Sequence, residues 1–165
     1  QGLCQKNETN QIWNTIVVYI DRDAGAGTGA SDMTSLSDTS VGIDDAVASK
    51  VKVTAAGFGA ELAVATKGMV SVADTGTDAG WRLLSPPGDF YWLSGAVQAG
   101  TNGFEAKVAL ADFFSNAIPS AGANLGFLVR LVDKTGDYTS NQQLPQSYSA
   151  SDPWLSSSVV VVPFR

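Results

Sequence analysis

The sequence predicts an all-β domain, an antiparallel β-sandwich of jelly-roll or immunoglobulin-like type, and three observations carry that expectation. Apolar residues recur with period two in short runs, as in SKVKVTA (Ser49–Ala55), GAELAVAT (Gly59–Thr66) and NLGFLVRLVD (Asn124–Asp133), which suits half-buried strands and not helices. Turn residues separate these runs at short intervals, GFG and SPPGD among them, with Pro and Gly where turn chemistry wants them. Only 16% of the residues are charged and 44% are hydrophobic, with Gly, Ala, Ser, Thr and Val prominent. That balance suits a β-rich extracellular domain.

Taken in order, residues 1–14 read as a polar arm without period, and 15–165 as one sandwich domain with no repeat and no linker. Strand one is Thr15–Asp21. Ile16, Val18 and Ile20 lie on one face and Val17 and Tyr19 on the other, so both faces can be buried. The Gly/Ser/Thr/Asp-rich stretch 24–45 is long for a connection, and such loops usually bind something. Further strands are expected at Ser49–Ala55, Gly59–Thr66, Met69–Ala73, Trp81–Leu84, Phe90–Leu93 and Phe104–Leu110. GFG should close a hairpin between the first two of these, and SPPGD should turn between Trp81–Leu84 and Phe90–Leu93. LADFFSN (110–116) can form one helical turn. Asn124–Asp133 and Ser157–Phe164 are the last strands.

Composition excludes several functions. The net charge of −6 and pI near 4.4 argue against nucleic acid, which needs a basic footprint. No apolar run approaches the ~20 residues of a spanning helix. The absence of histidine removes the Ser-His-Asp triad and most zinc sites. Cys4 is the only cysteine, so no internal disulfide forms. GAGTGA follows a strand, but the residues after it are not helix-forming, so it is no dinucleotide fingerprint. Glu61 and Glu105 alone sit within apolar stretches; both alternate with apolar neighbours and are expected to face solvent. No enzyme is expected. A chain opening on Gln1 reads as a mature, secreted form after signal-peptide removal, and Asn7-Glu8-Thr9 is a glycosylation sequon.

Two candidate sites remain. Asp21 and Asp23 leave the end of strand one on the same side, before a loop with Gly25, Gly27 and Gly29. Hard cations take 6–8 oxygen ligands, so the expected calcium set is Asp21 and Asp23 with Asp32, Asp44 and Asp45 from the following stretch. The ordinary alternative is a polar turn that binds nothing. Among the aromatics, Trp81, Tyr91 and Trp154 are candidate platforms for stacking on sugar rings, whereas Phe90 and Trp92 share a strand face and read as core.

VVYIDRDAGAGTG resembles the strand and loop of family 9-like carbohydrate-binding modules and their DOMON-like relatives. GFEAKVALADFF and NLGFLVRLVDKTGDYTSNQQLP resemble later strands of the same group, so the likeness spans roughly Thr15 to Pro145. It implies a sandwich with calcium near Asp21 and Asp23. Those modules carry one or two strands before the equivalent of Thr15–Asp21, and here only Gln1–Asn14 precede it. A sandwich lacking a strand resembles subunits of extracellular filaments or tubes, in which an arm of one copy completes the sheet of the next. The leading expectation is therefore a secreted, calcium-stabilised structural subunit that polymerises with copies of itself by strand donation. Leu3, Cys4 and Ile12 of the arm would supply the subunit contact, strand one would lie near an open sheet edge, and Ser157–Phe164 would pair within its own sheet. The alternative is a non-catalytic module binding polysaccharide.

Overall fold

A computed structural model of the chain describes residues 14–37, 43–67, 79–84, 88–93, 95–100, 103–119, 121–133, 136–146 and 151–165. Their elements run β1 (Asn14–Asp21), β2 (Leu36–Ser37), α1 (Ile43–Val47), β3 (Lys52–Val53), β4 (Leu62–Lys67), β5 (Ala79–Leu84), β6 (Gly88–Leu93), β7 (Gly95–Gly100), β8 (Gly103–Val108), α2 (Leu110–Phe113), β9 (Asn124–Asp133), β10 (Thr139–Leu144), β11 (Leu155–Ser156) and β12 (Val160–Pro163). The fold is all-β, antiparallel and sandwich-like.

An eight-stranded sheet runs β10-β9-β1-β4-β5-β6-β2, and β12 pairs with β9 beside β10. Only the short β2–β6 contact in it is parallel. β1 lies at its centre, hydrogen-bonded to β4 on one side and to β9 along its whole length on the other. β1 is apolar on both faces, and a core covers each, as a strand of this kind requires. Val17 and Tyr19, with Ala63, Ala65, Leu128 and Val132 from the neighbouring strands, form one core with α1, Met33, Val51 and Phe58. Ile20, Leu62, Val64 and Trp81 form the other core, against Phe113 and Phe114, with Val97 of β7 and Val108 of β8 packed on it. Tyr19 is fully buried and spends its hydroxyl on the Val47 carbonyl (2.9 Å) and on Ser49 Oγ (3.0 Å), which ties α1 to the sheet.

The expected strands hold at 15–21, 81–84, 90–93, 104–110 and 124–133, give or take a residue or two, and Gly59–Thr66 is present as β4 from Leu62. Trp81–Leu84 and Phe90–Leu93 do pair antiparallel across SPPGD, and LADFFSN contains the single turn of α2. Four expectations fail or shift. β1 is central, so it exposes no edge for an arm to complete. Ser49–Ala55 contracts to β3, which pairs in parallel with β11 and not with β4, so GFG closes no hairpin. Residues 57–60 instead bond to the glycine loop, through Gly25 N–H to the Gly57 carbonyl (2.9 Å) and the reciprocal Ala30–Ala60 pair (2.8 Å each). The last strand shortens to β12, although it does pair within its own sheet. Met69–Ala73 lies outside the described residues.

Candidate metal centre

β1 delivers Asp21 to the end of the sheet, where the chain turns through Arg22–Ala26 with Ala26 N–H on the Asp23 carbonyl (2.9 Å). The loop can close this tightly because of its glycines. At Gly59 a Cβ would lie 1.4 Å from the Thr28 carbonyl oxygen, and at Gly29, which has φ +80°, it would lie 2.6 Å from the Ala60 oxygen. The two backbones touch, and only residues without a side chain allow that contact.

This clasp brings three carboxylates together. Oxygen atoms of Asp21, Asp23 and Glu61 lie within 4.8 Å of one another. Asp21 is fully buried; it accepts the Asp23 N–H on Oδ1 (2.9 Å) and the Gly59 N–H on Oδ2 (3.0 Å). Glu61, also buried, accepts the Arg22 N–H on Oε2 (2.8 Å) and the Thr28 hydroxyl on Oε1. Asp23 is exposed, and its Oδ1 is 2.9 Å from the same Thr28 hydroxyl. One hydroxyl carries one proton, so Thr28 serves Asp23 or Glu61 but not both. Arg22 Nε is 3.9 Å from Glu61, while its Nη1 donates away from the cluster, to the Phe113 carbonyl (3.0 Å) and Ser115 Oγ (2.8 Å).

Burial pushes the Asp21 carboxyl above its usual range despite the Gly59 and Asp23 N–H bonds, and the charge of Asp23 adds to the rise. Glu61 is raised first by burial and then by the charges of Asp23 and Asp21. At an effective dielectric of ~20, two unit charges within 4.8 Å repel by about 3 kcal/mol. Two species relieve such a cluster, a proton or a hard divalent cation with oxygen preference.

The set differs from the expected one. Asp21 and Asp23 belong to it, but Asp32, Asp44 and Asp45 do not. Asp32 caps the short 3₁₀ turn Met33–Ser35 by accepting the Thr34 N–H (3.0 Å) and pairs with Lys52 Nζ (3.0 Å). Asp44 is buried on α1 and ion-paired with Arg82 of β5. Asp45, half-buried on the same helix, is outside the cluster of three. Glu61 was expected in solvent and is instead a member. It sits one residue before β4, where its N–H bonds the Ile20 carbonyl (3.0 Å), and the side chain turns towards the end of β1. The usable signal was its position two residues after the GFG glycines, ahead of the strand that begins at Leu62. Glu105 is exposed as expected.

The aromatic platform is also corrected. Trp81 is 6% exposed, meets Phe113 edge-on at 6.4 Å and donates Nε1–H to the Lys107 carbonyl (3.1 Å), so it offers no face to a sugar. Trp154 is half-buried against the first core. Tyr91 lies in β6 opposite Leu83. Leu3, Cys4 and Ile12 lie outside the described residues, as does the sequon at Asn7. Among the described residues no helix is long and apolar enough to cross a membrane.

No protein-family model, curated protein or solved structure matches the chain.

Proposed function

We propose that this chain is an extracellular structural domain that assembles with copies of itself through open edges of its main sheet, with a calcium ion held by Asp21, Asp23 and Glu61. One observation carries the assembly reading. Among the described residues β10 and β12 together form one edge of the sheet, and residues 139–146 (TSNQQLPQ) and 155–164 (LSSSVVVVPF) contain no charged side chain, on a chain with 10 basic and 16 acidic residues. Edge strands of soluble domains are normally blunted by charge. Here Leu144, Val161 and Val162 are exposed at 59%, 53% and 42%, so the uncharged edge also presents apolar side chains.

The donor set of three carboxylates without a nitrogen or sulfur ligand supports a hard cation such as calcium. The family 9-like and DOMON-like resemblance supports a cation at this end of β1. The structure leaves strand donation by the arm without its expected acceptor beside β1, where β4 and β9 pair instead. The polysaccharide reading loses Trp81. Electron microscopy and sedimentation velocity of the purified chain, with calcium and with chelator, test the proposal: extended assemblies are expected, and a monomer under both conditions would overturn it.

A further inference from the structure

The edge formed by β10 and β12 is not uniform. β10 breaks register with β9 between Thr139 and Gln143, and a bulge of this kind is a common protection against edge pairing. β12 keeps an unbroken register, Val160 to Pro163 against Phe127 to Asn124. Phe164 donates its N–H to the Ala123 carbonyl (2.7 Å). Main-chain groups alternate in direction along a strand, so Val162 and Val160 also turn theirs towards β9, and Val161 and Pro163 turn theirs outward. Pro163 therefore sits where its missing N–H costs no bond to β9. Val161 presents both a donor and an acceptor to the outside, and among the described residues no strand pairs with that side of β12.

We infer that the outer edge of β12 pairs with the β12 of a second copy, antiparallel about a two-fold axis at Val161. The inference rests on the assembly reading and names the strand that makes the contact. Such pairing lets Val161 exchange two N–H···O bonds with the partner's Val161, and each Val159 N–H reaches the carbonyl of the partner's Pro163. The only donor missing is the one proline lacks. Val161 and Val162, exposed on opposite faces, gain apolar cross-strand contact on each. The strip from Leu155 to Phe164 is uncharged, so two chains of net charge −6 meet here without opposing like charges. Residues 1–13 of a neighbour fit less well, because Lys6 and Glu8 would then lie along the valines. A two-fold contact alone closes a dimer. A growing assembly needs a second contact as well, and among the described residues β2 covers β6 on the opposite edge only at Gly88 and Asp89.

The test is sedimentation velocity of the full chain from micromolar to millimolar concentration, for the native sequence and for Val161→Pro. The substitution removes the outward N–H and leaves the bonds to β9. Loss of two bonds of about 1 kcal/mol each weakens self-association roughly 30-fold, with circular dichroism unchanged. Should Val161→Pro fail to fold, Val161→Lys in its place opposes two like charges at the axis and should also prevent association. A Cys4→Ser background carrying Val161→Cys should give a disulfide-linked dimer on mild oxidation, since Cα atoms of such partners lie ~5.5 Å apart, within disulfide reach. Leu110→Cys, exposed on α2, should not. Association unchanged by both Val161 substitutions overturns this pairing and leaves the assembly reading standing; association lost only on deleting residues 1–10 assigns the contact to the arm. A native chain that stays monomeric throughout overturns both.

Discussion

Replacing Glu61 by Gln removes one negative charge from the carboxylate cluster and keeps its shape, so the outcome separates electrostatic strain from structural support. Without metal, Glu61 and Asp21 are both buried within 4.8 Å, a repulsion of about 3 kcal/mol at an effective dielectric of ~20. Against that gain stands a weaker acceptor for the Arg22 N–H, now 2.8 Å from Glu61 Oε2. Charge-assisted bonds are roughly twice as strong as neutral ones, so this loss is about 1 kcal/mol, as is that of the distant Arg22 guanidinium. The net expectation in chelator is a stabilisation of about 1 kcal/mol, a rise in Tm of roughly 2–4 °C for a chain of this size. In calcium the order reverses: the native chain gains stability by mass action and Glu61→Gln loses most of that gain. Differential scanning calorimetry of both chains in chelator and in calcium reads all four states. A Glu61→Gln chain that melts several degrees lower in chelator and keeps the full calcium response would refute the cluster as both a strained site and a cation site.

Other perturbations reach different parts of the molecule. Because the folded carboxyls of Asp21 and Glu61 are raised, their unfavourable contribution is full above the folded pKa values and gone below the unfolded ones, 3.8 and 4.5. The cluster's own term in metal-free stability therefore favours folding as pH falls through that window, and the difference between native and Asp21→Asn/Glu61→Gln denaturation midpoints should shrink from pH 7 towards pH 4. Asp44→Ala removes the carboxylate paired with the buried Arg82 guanidinium and should cost about 3–5 kcal/mol in urea unfolding; a loss under 1 kcal/mol would show the pair to be solvated. Trp81→Ala should cost about 3–5 kcal/mol as a core truncation, with any polysaccharide affinity in pull-down assays unchanged. Gly59→Ala, whose Cβ would meet the Thr28 carbonyl at 1.4 Å, should lower Tm and abolish the calcium response together.

Local pattern determined much of this protein. β1, β5, β6 and β9 were legible because their alternation or their flanking turns survive in any tertiary context, and the two apolar faces of β1 already implied cover on both sides. Asp21 and Asp23 were legible as a pair because strand spacing alone sets them on one side. β10 was not, since TSNQQL has no alternation; it is a strand because Arg130, buried on β9, bonds Thr139 Oγ1 (2.8 Å) and Gln143 while holding Ser156 Oγ (3.1 Å) and the Pro153 carbonyl (2.6 Å). β1's place at the centre, the capture of Asp44 by Arg82, and the entry of Glu61 into the cluster are pairings between residues 38 or more positions apart or choices of sheet order. Such contacts depend on which strands become neighbours. Periodicity reports which face of a strand is apolar, but it carries no information about what that face, or its edge, will meet.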